Sequence, residues 1–483
     1  MGSSTLNITL DRDSATPIYR QLIAQIRSLI ESGELPAGAR LPASRSLARQ
    51  QGISRISVVN AYRELRGAGL LHSHAGKGTF VARQRSASAI LRSPLPEPSQ
   101  RAPALRHMLR KDREGIIDFS GGTPPTEFFP VRYLQDAINQ VIDRDGAEAL
   151  SYEAAEGYLP LRSAVRDYVQ AIGIRCRYQD VLITGGAQQA IDLVLQSLMQ
   201  PGETLLTADP TYLGIIDIAQ ARRVRIHGLP VDDQGIRIDA LEQACRDLQP
   251  RLIYVMPSYQ NPTGHLMPLH RRRQLVRLAA RLRIPVLEDE VYREFRFDGE
   301  ALPPLKALDE SGVVIHTNAF TKVLLPGVRI GYLVADGAWH ERLARVKQAA
   351  DISTSGLNQR AIHLLLERGV LGKQLERNRL ELRRRRGVAL AAAQRHFPAG
   401  ARWVSPRGGL YLWVELPAAG PSAADTLEAA LARGAAFAPG EQFSTRGKHQ
   451  HALRLNFGVH PPALIEEGFL RIGAAWRGLA GDL

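Results

Sequence analysis

Cysteine is scarce: Cys176 and Cys245 are the only two in 483 residues. Two thiols so far apart form neither a disulfide framework nor a cysteine-built metal centre, and no metal is expected. A reducing cytoplasm is the expected compartment. The chain also lacks any apolar run near the roughly 20 residues that span a bilayer, so no membrane partner is expected. Its first residues are polar, with acids at Asp11 and Asp13, which suits neither a secretory signal nor a transit peptide. No internal repeat is visible. Acids are in deficit, 48 against 62 lysines and arginines, for a net charge of +14 and a pI near 10.0. Such a surplus points to a polyanionic partner, although charge governs solubility and steering rather than fold. Hydrophobic content of 44% is ordinary for a globular chain, and the length suggests two to four domains.

The first segment, residues 1–83, reads as helix, turn, helix, hairpin. A helix starts near Pro17 with Ile18, Leu22, Ile26, Leu29 and Ile30 on one face. A short helix follows over 44–51, and Gly52-Ile53-Ser54 makes a tight turn. Ser54 caps the next helix, which runs to about Ala68 with Val58, Val59, Tyr62 and Leu65 facing inward. Short strands over 70–73 and 79–82 flank Ala75-Gly76-Lys77-Gly78. This is the layout of a winged helix-turn-helix. The segment holds eleven lysines and arginines against five acids. Arg55 and Ser57, at the start of the second helix of the motif and beside Ser54, are placed to approach base edges. Arg45, Lys77 and the wing amides around Gly78 are placed to hold phosphates.

These stretches carry a specific resemblance. Leu41-Pro42-Ala43-Ser44-Arg45-Ser46-Leu47-Ala48, Gly52-Ile53-Ser54-Arg55-Ile56-Ser57-Val58 and Gly76-Lys77-Gly78-Thr79-Phe80-Val81 resemble the N-terminal domain of GntR-family bacterial transcription regulators. Ile56 stands where such proteins more often carry a polar residue, which speaks against a base contact there.

Residues 84–116 are rich in Ser, Pro and Arg without periodicity, and read as an extended linker. From Ile117 onward strands and helices alternate, which implies a mostly parallel sheet. Strands are expected over 181–184, 204–208, 252–256, 285–288 and 313–316. The last third, with strands near 410–415 and 453–457 and a basic helix around 375–387, fits a second, smaller lobe. Within that helix, Arg383 to Arg386 are expected at a solvated helix end.

The larger segment is organised around Thr317-Asn318-Ala319-Phe320-Thr321-Lys322, followed by Pro326-Gly327-Val328-Arg329. A lysine partly desolvated by small hydroxyl and apolar neighbours loses its proton easily and forms a Schiff base with an aldehyde. Arg329 offers a planar fork for phosphate. An aldehyde bearing a phosphate is pyridoxal 5′-phosphate (PLP). Four further stretches supply the other contacts. Gly185-Gly186-Ala187-Gln188 opens a helix and so forms an anion site, at Ala187 and Gln188. Tyr212, after a strand, can stack on the pyridine ring at the carboxyl edge of the sheet. Asn261 can bond the ring oxygen. Asp289 can keep the ring nitrogen protonated, which makes the ring an electron sink, with Tyr292 on the phenolic oxygen.

Together these residues resemble fold-type I PLP enzymes of the aspartate-aminotransferase superfamily, over nearly all of 117–475. The resemblance implies a large PLP domain, a small domain and a homodimer. By it, Tyr152 reaches the partner's cofactor phosphate, Arg454 pairs with a substrate or effector carboxylate, and Gly122 lines the substrate side. The family's phosphate-binding Ser or Thr three residues before the lysine is Ala319 here, while Thr321 is retained.

A GntR-type domain joined by a long linker to an aminotransferase-like domain is the pattern of the MocR subfamily of regulators. The expected chain is therefore multidomain: a winged helix-turn-helix (1–83), a linker (84–116) and an α/β aminotransferase-like PLP domain with large and small lobes (117–483). Its expected function is regulation of transcription on double-stranded operator DNA, sensing PLP or an amino compound through Lys322. The alternatives are a working aminotransferase with an accessory DNA-binding domain, and a DNA-binding protein that uses the PLP fold only as a dimerisation scaffold.

Overall fold

A computed structural model describes residues 8–12, 14, 16–74, 78–82 and 115–481. The chain divides into two compact units, Met1–Glu97 and Pro98–Leu483. Most of the expected linker, and Lys77 at the wing tip, lie outside the described residues.

In the first unit, helix α1 (Ile18–Glu31) buries Leu22 and Ile26 completely. Helix α2 (Ser44–Gln51) ends at Gly52, whose φ of 60° is the left-handed C-cap that glycine adopts without strain. Helix α3 (Arg55–Gly67) begins three residues later, and the Ser54 hydroxyl accepts from the Ser57 amide at 3.1 Å. Val58, Ala61, Tyr62 and Leu65 of α3 are buried. Val59 is not: it is 40% exposed, because one further residue turns about 100° around the helix and leaves the core face. The Tyr62 hydroxyl donates to the Pro42 carbonyl at 2.9 Å and ties α3 to the entry of α2. Strands β1 (Leu71–His74) and β2 (Gly78–Val81) pair antiparallel, Leu71 opposite Val81, as the wing.

The second unit is built on an eight-stranded sheet. Across it run Val181–Thr184, Gly331–Val334, Val314–Ala319, Val286–Asp289, Leu252–Val255, Thr204–Asp209, Arg225–Asp232 and Gly235–Ile236. The strands from Val314–Ala319 to Arg225–Asp232 are parallel. Gly331–Val334 is antiparallel to both its neighbours. The central parallel strands are buried throughout, as expected of a parallel sheet covered on both faces. Three strands of this sheet escape a reading of the sequence for physical reasons. Arg225–Asp232 carries Gly, Pro and charged residues and is only half-buried near the sheet edge, Gly235–Ile236 is only two residues long, and Gly331–Val334 follows the lysine loop without a polar break.

The smaller lobe has a four-stranded sheet of Arg402–Trp403, Tyr411–Glu415, Ala452–Asn456 and Ala438–Pro439. It packs with the helices Val370–His396 and Pro462–Ala480 around Phe119, Phe457 and Phe469. The arginine run is not a solvated helix end. It lies inside the 27-residue helix Val370–His396, where Arg385 is 3% exposed. Arg385 donates to Glu127 at 2.8 Å, Glu381 at 2.9 Å and the Gly458 carbonyl at 2.8 Å. Arg386 pairs with Asp298; Arg383 and Arg384 stay exposed.

Candidate cofactor site and nucleic-acid interface

The strand Val286–Asp289 delivers three consecutive acids to different surroundings, because side chains alternate along an extended chain. Glu288 meets His316 Nδ1 at 2.9 Å. Glu290 meets Arg272 at 3.3 Å and accepts from the Ser258 hydroxyl at 3.0 Å. Asp289 alone of the three lines a cavity of about 100 Å³ at the carboxyl edge of the sheet. Burial pushes its carboxyl up to about 6, against the Tyr254 hydroxyl, which donates to it at 2.8 Å.

Lys322 enters the same cavity from a single helical turn, Phe320–Val323, at the end of the neighbouring strand. Its Nζ donates to the Gly122 carbonyl at 2.7 Å. Enclosure of the amine lowers it to about 8, helped by the positive charges of Arg454 and Arg329 and resisted by Asp289. A Cβ on Gly122 would lie 3.0 Å from the Tyr411 hydroxyl and 3.8 Å from Lys322 Nζ, so glycine keeps the space beside the amine open.

At the opposite end, the helix Ala187–Leu198 starts from Gly186 at φ 106°. A Cβ there would stand 2.8 Å from Arg329 Nη2, so the guanidinium lies directly against the glycine backbone. Gly331 is required for the same reason: its Cβ would meet Gly186 Cα at 2.8 Å. The helix start at Ala187 and Gln188, Arg329 and Thr321 thus all line the cavity. Tyr212 forms a wall, held by its hydroxyl bond to Gln188 at 2.8 Å. Tyr292 is held by Tyr411 at 2.8 Å between the hydroxyls.

Asn261 and Arg454 are joined to each other, Nη1 to Oδ1 at 3.0 Å, and Arg454 also donates to the Ser120 carbonyl. The guanidinium lies over Tyr411, 4.3 Å from the ring centre. Ala319 is buried on the strand and is not part of the cavity wall. Tyr152 is not brought to the cavity of its own chain; it is 82% exposed. Tyr254 and Tyr411 carry no signal in the sequence. Both are strand residues whose polar ends matter only because another strand or the smaller lobe supplies the partner.

The cavity fits PLP. An amine able to lose its proton stands between a cationic, amide-rich end suited to a phosphate dianion and a buried carboxylate suited to a protonated ring nitrogen. A larger cleft of about 590 Å³ opens beyond Asp209, between Trp413 and Arg446. It lacks this donor set, and its Arg402 is already paired with Glu415 at 3.5 Å.

In the first unit, Arg45, Ser54 and Arg55 are exposed and Ser57 is half-buried. The two serines bond each other, Oγ to Oγ at 2.9 Å, across the first turn of α3. Gly78 has φ 114°, and a Cβ on it would meet Arg40 Nε at 3.0 Å. Arg40, missed from the sequence because it lies upstream of the motif, is therefore a basic group lying on the wing.

Comparison with known proteins matches both units of the chain. The family model for aminotransferase class I and II matches residues 114–472, and that for bacterial regulatory proteins of the gntR family matches 18–81. A 2-aminoadipate transaminase of Thermus thermophilus is 37% identical over 78% of this chain and 94% of its own length. The probable rhizopine catabolism regulatory protein MocR of Rhizobium meliloti is 30% identical over 82% of this chain and 81% of its own. Among solved structures, the α-aminoadipate aminotransferase LysN of Thermus thermophilus, complexed with N-(5'-phosphopyridoxyl)-L-leucine, superposes with a TM-score of 0.73. It covers 78% of this chain and 94% of that one at 37% identity. Because one chain carries both matched regions in this order, it belongs to the class I and II aminotransferase family and, within the GntR regulators, to the MocR-like group.

Proposed function

We propose that this chain is a PLP-dependent transcription regulator that binds operator DNA through α2, α3 and the wing. It responds to PLP itself or to an amino compound at the Lys322 cavity. The observation that carries this reading is the presence, on one chain, of a capped recognition helix in a basic unit and a cavity with the PLP donor set. When bound, PLP supplies an electrophilic carbon to which amines add reversibly. The chain's own residues divide the work around it. Arg329, Thr321 and the helix start at Ala187 and Gln188 would hold the phosphate end, Tyr212 would lie against the ring, and Asp289 would keep the ring nitrogen protonated. Asn261 and Tyr292 serve the phenolic side. Lys322 gives and takes the proton, Gly122 leaves room beside it, and Arg454 orients a carboxylate on the incoming amine.

The exposure of Tyr152 supports its reaching a second subunit's cofactor, and with it a homodimer. The reading places the protein in the cytoplasm, on the nucleoid when bound to DNA. It also keeps 1–83, 84–116 and 117–483 as DNA-binding domain, linker and sensing domain. For a ligand to act as a switch it must bind one arrangement of the dimer better than another. Mapping of the protein on its own genome, followed by gel shifts with and without PLP and amines, tests this. A few sharp sites with ligand-dependent affinity are expected; no sites, or affinity indifferent to every ligand, would sink the switch.

Lys322, Asp289 and Tyr212 lining one cavity, with the charge of Arg454 acting on the Lys322 amine, favour a second reading, a working aminotransferase. Sustained amino transfer at ~1–10³ s⁻¹ would support it, whereas conversion that stops after one equivalent supports a sensor.

A further inference from the structure

The side chain of α3 that points most directly away from its buried face is apolar. On α3 the buried residues are Val58, Ala61, Tyr62 and Leu65. At about 100° per residue, the direction opposite their mean is occupied by Ile56, Asn60 and Arg63. Ile56 is on the first turn and is 73% exposed, among the most exposed large apolar residues described. The hydroxyls on either side of it are turned to the helix start: Ser54 Oγ accepts from the Ser57 amide at 3.1 Å and bonds Ser57 Oγ at 2.9 Å. Further along the ridge, Asn60 Oδ1 accepts from Arg63 at 3.0 Å. Ile56 therefore projects beyond two hydroxyls engaged with the cap.

In the major groove every base pair presents donors and acceptors, and the one apolar group there is the 5-methyl of thymine. A branched aliphatic side chain pressed on any other base edge would cover polar atoms without bonding them, which is unfavourable. Against a thymine methyl it removes apolar surface from water. One residue then both favours T·A and disfavours the other pairs at its position.

Contrary to the expectation that an apolar residue here makes no base contact, we infer that Ile56 is a specificity-determining residue that reads a thymine methyl in each operator half-site, apolar contact replacing a hydrogen bond. The inference rests on the DNA-binding reading above.

The test uses the full-length protein with cofactor bound. Its preferred duplex is first selected from a random pool. Each thymine in that duplex is then replaced by uracil, which removes only the methyl, and affinity is measured by fluorescence anisotropy for the native protein and for Ile56→Ala. One thymine per half-site is expected at which uracil weakens the native protein about fourfold, the worth of one methyl-sized apolar contact, while Ile56→Ala binds both duplexes alike. Because Ile56 is solvent-exposed, the variant should melt with the native protein. If uracil at every position affects the two proteins equally, the inference is overturned and the DNA-binding reading stands. If no sequence is enriched from the pool, the DNA-binding reading falls and takes this inference with it.

Discussion

Tyr254 donates its hydroxyl to Asp289 at 2.8 Å, with both side chains buried at the carboxyl edge of the sheet. This bond opposes the effect of burial, which pushes the Asp289 carboxyl up to about 6. Tyr254→Phe should therefore raise the carboxyl further and leave less carboxylate to face the cofactor's ring nitrogen. A hydrogen bond to a charged group is worth about 1.5–3 kcal/mol, so PLP affinity should fall by roughly tenfold or more. Equilibrium dialysis measures it, and unchanged affinity would show that Tyr254 is only a packing residue.

Lys322 sets the pH dependence of cofactor loading. With its amine lowered from 10.5 to about 8, the reactive neutral fraction grows about tenfold between about pH 7 and about pH 9 and then levels off. Stopped-flow mixing of the cofactor-free protein with PLP should follow that curve. The sign for stability is the reverse of that for an ion-paired lysine. Between about 8 and 10.5 the unfolded chain holds a proton that the folded chain lacks, so the cofactor-free protein should gain stability as pH rises through that window. A loading rate still climbing steeply above pH 10 would contradict the lowered amine.

Lys322→Ala should abolish fixation of PLP to the chain by borohydride, detected by mass spectrometry of the digested protein. A retained adduct would mean that another lysine is the attachment site.

Arg55→Ala should weaken specific operator binding by roughly 1–3 kcal/mol if the side chain contacts a base. The visible spectrum of bound cofactor should stay as it is, since Arg55 belongs to the other unit. A uniform loss on all sequences would instead assign Arg55 to phosphate.

Arg385→Met should lower the melting temperature by several degrees, whereas Arg384→Met should leave it unchanged. Arg385 is buried among Glu127, Glu381 and the Gly458 carbonyl, and removing one member of such a cluster strands the others. Differential scanning calorimetry distinguishes the two arginines, and equal effects would return the run to the solvent-facing role expected of its sequence.

The run of four arginines marks where sequence reading stops. A basic heptad reads as solvated because lysine and arginine are rarely buried without partners. The partners of Arg385, at Glu127 and Gly458, are far away in the chain. Val59 differs: it is apolar and adjoins the buried Val58, yet it is 40% exposed because it lies about 100° around α3 from the core face. Tyr254 and Tyr411 were likewise illegible, since each becomes relevant through a bond to a residue on another element.

What the sequence by itself determined is local: the Ser54 cap, the glycine turn at Gly52, the parallel strands that read as apolar runs, and the polar residues placed just past their ends. These follow from backbone preferences and hydrophobic period, which act over a few residues. Tertiary structure alone decided which of three adjacent acids faces the cavity, how far the Lys322 amine is shifted, and that Gly186 and Gly331 must both lack a side chain for Arg329 to lie against the helix start. Those properties depend on desolvation and on close approach between segments distant in sequence, and neither exists until the chain has folded.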